Sequence, residues 1–453
     1  MLAAMEPSAL LDLAAITDAQ LGVRHFRVEE RISQLFAIEV LAVSPRADLD
    51  LEMMVGYGAA LRLAAAGGGY RVWGGLCTDA EHVGTGVDGV ASYRLQIRPM
   101  LWRTSQRMSR RVFQNQNAIE VATSVLREWG IEPVVGMQRR ALNRHEYRVQ
   151  LDESDYAFVA RQLEEQGISY VFEHIPPPPE AAHHIASMTL ILSDQLECWR
   201  ERPEALVNAG TTQGRPAFPF VSNVRLGRAV RPGRVSLRGY DYRSHAQLTL
   251  AAEARGGNEA ELGYERYRYL PKAFVTDAGA DQRAGMAAAQ VLLDAERSAA
   301  RLVSMSSNVI DMPPGTRFRI DTHERESLCD DAGLLLVGAT IEGDVNGEWA
   351  VALEAIPIAD ALAAETAAVF CPAQVTPKPR VMGLQSAVVV GPVGEEIHTD
   401  EFGRVKVQFH WDRLGRSDGA SSCWIRVSQS WAGGGYGASQ LPRVGHEVIV
   451  GFF

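Results

Sequence analysis

From Arg404 to Trp411 the residues alternate without a break: Val405, Val407, Phe409 and Trp411 are apolar, and Arg404, Lys406, Gln408 and His410 are polar. Successive side chains of an extended strand point to opposite faces, so this run buries one face only as a β-strand. Weaker versions of the pattern recur. Residues 24–43 read as strand, turn and strand, with a polar break over residues 29–34. Residues 61–64, 70–76 and 90–99 give three more strands between glycine-rich turns, which together predict a small barrel or sandwich.

Two helices interrupt the β pattern. Asn117 and Glu120 have capping-box spacing, Ile119, Ala122, Val125, Leu126 and Trp129 follow at helical intervals, and Gly130 supplies the stop. A second helix is predicted from about Ser154 to Gln166, with acidic residues at its start, an apolar stripe of Phe158, Val159 and Leu163, and Gly167 at its end. Residues 168–172 then read as a strand. The tract Pro176 to Pro179 forbids regular structure.

The chain then repeats itself. Leu61-Arg62-Leu63, residues 72–76 and residues 93–99 match in pattern Phe318-Arg319-Ile320, residues 334–341 and residues 349–357, and both trios end at proline. Between the trios lie a strand over 235–242 and an Ala-rich helix over 281–297 with Met286, Ala289, Leu292 and Leu293 on one face. Pro372, Pro377 and Pro379 mark a stiff linker. The alternating run opens the last module, where residues 423–428 and 446–453 are predicted as further strands of a small barrel of the oligosaccharide/oligonucleotide-binding (OB) type.

The 453 residues suit about three domains, and 46% hydrophobic with 22% charged residues is globular composition. The fold class is therefore mainly β with α insertions, or α+β. Its expected parts are a first β-barrel domain over 1–105, an α/β insertion over 106–225, a second related β barrel with a helix over 226–371, a linker over 372–380, and an OB-like barrel over 381–453. A net charge of −10 disfavours a general nucleic-acid binder. No stretch approaches the ~18 apolar residues of a membrane span, and no positive charge precedes Arg24 to make a secretory signal. Five dispersed cysteines, Cys77, Cys198, Cys329, Cys371 and Cys423, form no C-x-x-C pair, which predicts reduced, cytoplasmic folding.

Several motifs match catalytic patterns by letter. Gly84-Thr85-Gly86-Val87-Asp88-Gly89 has dinucleotide-fingerprint spacing, but an alternating strand follows it where a helix is required, so it reads as a hairpin loop. Gly415-Arg416-Ser417-Asp418-Gly419 has nucleophile-elbow spacing but sits between two strands, and Ser417 reads as a solvated turn. His183-His184 is the one close histidine pair and reads as loop, while Glu164-Glu165 and Glu395-Glu396 read as solvated charge. The sequence thus leads us to expect no catalytic residue, no metal and no cofactor. The last module carries six positive against seven negative charges, which leaves no basic groove for single strands.

The run Asp400-Glu401-Phe402-Gly403-Arg404-Val405-Lys406-Val407-Gln408-Phe409-His410-Trp411-Asp412 strongly resembles VgrG proteins, as do Cys423-Trp424-Ile425-Arg426-Val427-Ser428-Gln429 and Pro442-Arg443-Val444-Gly445-His446-Glu447-Val448. Glu153-Ser154-Asp155-Tyr156-Ala157-Phe158-Val159 and residues 163–170 are similar to the same family. The resemblance implies a non-enzymatic, homotrimeric spike of the type VI secretion machine, related to contractile phage tail hubs. It implies two similar β domains per chain that cap the hexameric Hcp tube, assembly in the cytoplasm, and injection with effectors through membranes. Family members continue into a β-helix needle bearing a PAAR-type tip, whereas this sequence stops at Gly451-Phe452-Phe453, as a truncated form would. The expected structural residues are Phe402, Val405, Val407, Phe409, Trp411, Trp424, Ile425 and Val427 in the barrel core and Gly403 and Gly445 in its turns. Two rivals stand beside this reading: a cell-wall hydrolase or esterase using Ser417 or a carboxylate pair, and a barrel binding glycans or single strands through Trp411 and Trp424.

Overall fold

The computed structural model describes residues 11–15, 20–64, 70–175, 187–210, 218–243, 250–276, 279–345, 349–358 and 369–452. Pro176 to Pro179, His183, His184 and Phe453 lie outside the described residues. The first unit contains β1 (Leu11–Ala15), β2 (Gly22–Arg31), β3 (Ala37–Ser44), β4 (Gly58–Ala64), β5 (Tyr70–Thr85) and β6 (Ala91–Arg98). Period-two burial organises it: in β2, Phe26, Val28 and Glu30 face inward while Arg27 and Glu29 face solvent. The polar break expected over 29–34 is therefore displaced, and the turn begins only after Arg31. Glu30 can stay in the strand because the buried Arg71 guanidinium holds its carboxylate at 2.6 and 2.8 Å and donates to the Ile310 carbonyl at 2.7 Å. The glycines at 84–89 close the β5–β6 hairpin: the Gly86 amide donates to the Val90 carbonyl at 2.9 Å, and Gly89 has φ +78°.

An insertion follows, with β7 (Met108–Phe113), α1 (Ala118–Arg127), β8 (Val134–Val135), β9 (Arg148–Ser154), α2 (Asp155–Gln166), β10 (Ser169–Ile175), β11 (Ser187–Ser193), β12 (Arg200–Glu201) and β13 (Val207–Asn208). The Asn117 capping box forms with both bonds at 3.0 Å, and Ser154 caps α2. Two stripe residues are placed differently from expectation. Trp129 lies past the end of α1, where its indole donates to Asp155, and Ile119 is half-buried while Val121 takes a core position. Gly167, at φ +69°, ends α2.

The second unit begins with β14 (Phe220–Arg228). Then come a small sheet of β15 (Arg234–Gly239), β16 (Leu250–Arg255) and β17 (Glu265–Tyr269), a short hairpin of β18 (Val275–Thr276) and β19 (Gly279–Ala280), and α3 (Gln282–Arg297). The unit closes with β20 (Arg301–Ser307), β21 (Thr316–Phe318), β22 (Leu334–Asp344) and β23 (Trp349–Pro357). On α3, Ala289, Leu292 and Leu293 pack against Val235 and Leu237. Met286 is exposed, a correction to the expected stripe, because the helix covers only one face of the small sheet. Gly285 lets the helix approach Phe274, whose ring would stand 2.1 Å from an added Cβ.

The repeat in the sequence is a repeat of topology. The first unit orders its strands β4-β5-β6-β3-β2, and the second orders them β21-β22-β23-β20-β14, with every neighbour antiparallel. In chain order both follow the same permutation. The β2–β22 pairing joins them, with Val28 opposite Ile341, so the two related β units share one sheet. They also share one core, in which Phe26, Leu61 and Trp73 of the first unit join Phe318, Leu336 and Leu353 of the second. Each such side chain contributes about 1.5–3 kcal/mol by leaving water.

The last module holds β24 (Leu384–Val390), β25 (Lys406–Phe409), β26 (Ala432–Gly433), β27 (Tyr436–Gly437) and β28 (Glu447–Gly451). β24 is central, flanked by β25 and β28. The strand expected over 423–428 is reduced to one bridge, Val405 with Ile425. Its ladder ends there because the Ser422 hydroxyl, and not a backbone carbonyl, accepts the Val407 amide at 2.9 Å.

Candidate assembly surfaces

The sequence-selected residues of the barrel fall into three settings. Val405, Val407 and Phe409 are buried together with Ala387, Val389 and Val450, while Trp411, Ile425 and Val427 pack half-buried around them. Trp411 stacks on Phe409 at 5.0 Å between ring centres and donates its indole N–H to Gln385 at 2.7 Å. Trp424 lies outside that cluster, against His398 at 4.9 Å and beneath the Lys406 ammonium at 5.0 Å. Gly403 (φ +66°) and Gly445 (φ +90°) occupy left-handed turn positions, where a side chain is strained. Phe402 is a correction: it is 47% exposed, because it sits in the Asp400–Gly403 turn ahead of β25. Arg404 is a second correction, since alternation places it outward and it is buried in an ion pair with Asp400.

That ion pair forms the seat of the barrel. Burial opposes ionisation of Asp400, but the Arg404 guanidinium outweighs it and holds the carboxyl below its ordinary value. The same guanidinium donates to the Tyr242 hydroxyl at 2.7 Å, and Arg426 lies over the Tyr242 ring at 4.6 Å. Tyr242 also meets Phe402 edge-on at 6.2 Å. On another side the Gln114 amide donates to the Ala420 carbonyl at 2.6 Å. Sequence reasoning placed Tyr242 at the end of the strand over 235–242 and gave it no role; β15 stops at Gly239, and Tyr242 lies beyond it, free to meet the barrel.

The linker is held down. The backbone and hydroxyl of Thr376 donate to Glu164 at 2.9 and 2.7 Å, and Lys378 pairs with Glu165 at 3.2 Å. Burial raises the Glu164 carboxyl. Burial pushes Glu165 in the same direction, yet Arg148 and Lys378 override it and bring it down to about 2. The pair expected as solvated charge is thus a clasp on the linker. Glu395 and Glu396 instead pair separately, with His398 and Arg443, each at 3.1 Å.

Within the insertion, Asp155 is fully buried at the start of α2 and accepts from Arg107 (2.6 Å), Arg111 (2.9 Å), Trp129 (2.8 Å) and Gln150 (2.8 Å). Four charged or polar donors on one carboxylate tie α1, α2, β7 and β9 into one body. Ser417 stands in an exposed turn with φ +54°, and its amide donates to Gln408 at 3.1 Å. No helix begins behind it, so the geometry of a nucleophile elbow is missing. Among the described residues no group of three His, Cys, Asp or Glu side chains is placed to hold a metal.

Leu384 and Ile449 lie on the face of the β24–β28 pair turned away from the core, two register steps apart and beside Ser386, and both are exposed, as is Met382.

Comparisons with known proteins agree with this geometry. Residues 29–346 match the family model described as phage tail baseplate hub, and residues 389–453 match the model for the type VI secretion system/phage-baseplate injector OB domain. Two type VI secretion system spike proteins of Pseudomonas aeruginosa, VgrG1b and VgrG1a, are 32% and 33% identical to the chain. The matches cover 96% and 93% of this chain but 58% and 64% of those relatives, so the chain spans about three fifths of their length. An E. coli type VI secretion component, described as structurally similar to the T4 bacteriophage tail proteins gp27 and gp5, superposes with a TM-score of 0.67 at 18% identity, covering 98% of this chain and 96% of its own. A 43 kDa prophage tail protein of Shewanella oneidensis gives 0.54 at 12% identity, covering 77% and 99%.

Proposed function

Because the chain belongs to the phage tail baseplate hub family, among the VgrG spike proteins, we propose that it is the structural base of a type VI secretion spike and acts by assembly rather than catalysis. The observation that carries this reading is the repeated strand permutation, β4-β5-β6-β3-β2 and β21-β22-β23-β20-β14, set side by side in one sheet. Two equivalent units per chain give a three-fold assembly six similar faces, which matches a six-fold tube of Hcp type. In this reading residues 1–105 and, from the start of β14, residues 220–371 are the two tube adaptors, the sequence-based boundary at 226 having cut that strand. Residues 106–219 brace them, residues 372–380 clasp the body, and residues 381–453 form the OB-like barrel.

The three copies meet in part through the barrel, where Met382, Leu384 and Ile449 stand exposed. The protein assembles in the cytoplasm and leaves with the machine, together with effectors and a PAAR-type tip. Light scattering over a concentration series tests the trimer against the 49.5 kDa of one chain. A mass near three chains that falls to one on Leu384→Glu with Ile449→Glu supports this reading. A stable dimer removes the symmetry match and overturns it.

A further inference from the structure

In the small sheet β16-β15-β17, strand β17 pairs with β15 along one edge, and its other edge is unpaired among the described residues. All five of its residues, Glu265, Arg266, Tyr267, Arg268 and Tyr269, are exposed. Tyr267 and Tyr269 are each 59% exposed, although tyrosine favours strands because it packs on neighbours. A strand with an open backbone edge and unburied aromatics is a template for another strand.

Alternation sorts its side chains. Glu265, Tyr267 and Tyr269 share one face, and the first two line a shallow groove with Ser236, Arg238 and Glu253. Arg266 and Arg268 share the other face. Arg266 lies 3.7 Å from Glu296 of α3, and Arg268 reaches the Gln374 amide oxygen at 3.4 Å, with no carboxylate partner among the described residues.

These charges choose the partner. Antiparallel pairing of two copies about Tyr267 would set Arg266 opposite Arg268 twice, and like charges directly opposite destabilise a ladder. A segment with carboxylates at alternate positions meets both arginines and leaves its intervening residues over the tyrosines. We propose that β17 is a docking strand that captures an extended, acidic segment of a partner protein by strand addition. β17 lies within the second adaptor but in a small sheet separate from the one the two β units share, so this docking goes beyond the tube-adaptor reading.

The test uses the whole chain and two labelled peptides, one alternating Glu and Val and one alternating Lys and Val, followed by fluorescence anisotropy at low salt. The acidic peptide is expected to bind about tenfold or more tightly than the basic one, and Arg266→Glu with Arg268→Glu to reverse that order. Tyr267→Ser with Tyr269→Ser keeps the charge and is expected to weaken the acidic peptide. Because these side chains are exposed, melting curves of both variants should overlay the parent. Equal binding of the two peptides, or an order unchanged by charge reversal, overturns the proposal. So does a self-association that the charge reversal abolishes, since the occupant would then be a second copy.

Discussion

The Arg404 guanidinium donates to the Tyr242 hydroxyl at 2.7 Å while its other side pairs with Asp400, so one buried arginine joins the last module to the second β unit. Tyr242→Phe removes only the hydrogen bond and is expected to cost about 1 kcal/mol. Tyr242→Ala also removes the ring beneath Arg426 and beside Phe402, for about 2–3 kcal/mol. The readouts are denaturant unfolding and limited proteolysis at residues 372–380. If Tyr242→Ala leaves the linker as protected as in the parent, the barrel does not depend on this seat.

Asp155 is the other buried node. Replacing it by alanine leaves the Arg111 guanidinium, itself buried, with Glu128 as its remaining carboxylate and takes one partner each from Arg107, Trp129 and Gln150. Removing one side of such a buried network is expected to cost about 3–5 kcal/mol, with Asp155→Asn milder because it keeps one acceptor. Equilibrium unfolding measures this directly. A loss below about 1 kcal/mol would mean that the network is solvated.

Much of this architecture is legible in the sequence wherever one local rule decides it. The Asn117 capping box, the Gly167 stop and the alternation through Val405, Val407 and Phe409 are short-range signals, and each sits where its local physics puts it. Three of the five strands of each unit were visible as two trios ending at proline, but neither the shared strand order nor the fusion through Val28 and Ile341 was, because pairing across about 300 residues leaves no local mark. Charged residues misled for the same reason. Glu30, Arg404 and Glu164 read as solvent-facing until their distant partners, Arg71, Tyr242 and Thr376, are brought beside them. The exposed β17 edge was missed because five residues of ERYRY, with no apolar alternation, give no strand signal.

The barrel core is small, which makes single positions in it decisive. Phe409→Asp places a carboxylate among Ala387, Val389, Val407 and Val450 and against the Trp411 ring, with no cation in that cluster. The expected loss is about 3–5 kcal/mol, concentrated in this module. Tryptophan emission from Trp411 should shift to longer wavelength as the core opens. A variant that melts and fluoresces like the parent would show that β25 presents its other face inward.

Acid should weaken the molecule well before its carboxylates titrate, because two imidazoles are held neutral inside it. Burial, with Arg71 adding repulsion, lowers His174 to about 3, and burial with Arg148 nearby lowers His145 to about 4. His174 accepts the Gly74 amide at 3.2 Å through Nδ1, a bond that requires that nitrogen to be unprotonated. Both groups return to an ordinary value of about 6.5 in the unfolded chain, so the unfolded state binds the extra protons. Their contribution is full above about pH 6.5 and is lost as the pH falls toward the folded values, at up to about 1.4 kcal/mol per pH unit for each group. Unfolding free energies measured between about pH 7.5 and about pH 5 should therefore fall with a slope that His174→Gln reduces by one proton's worth, whatever that variant does to stability at neutral pH. An unchanged slope in His174→Gln would assign the acid sensitivity to groups other than this imidazole.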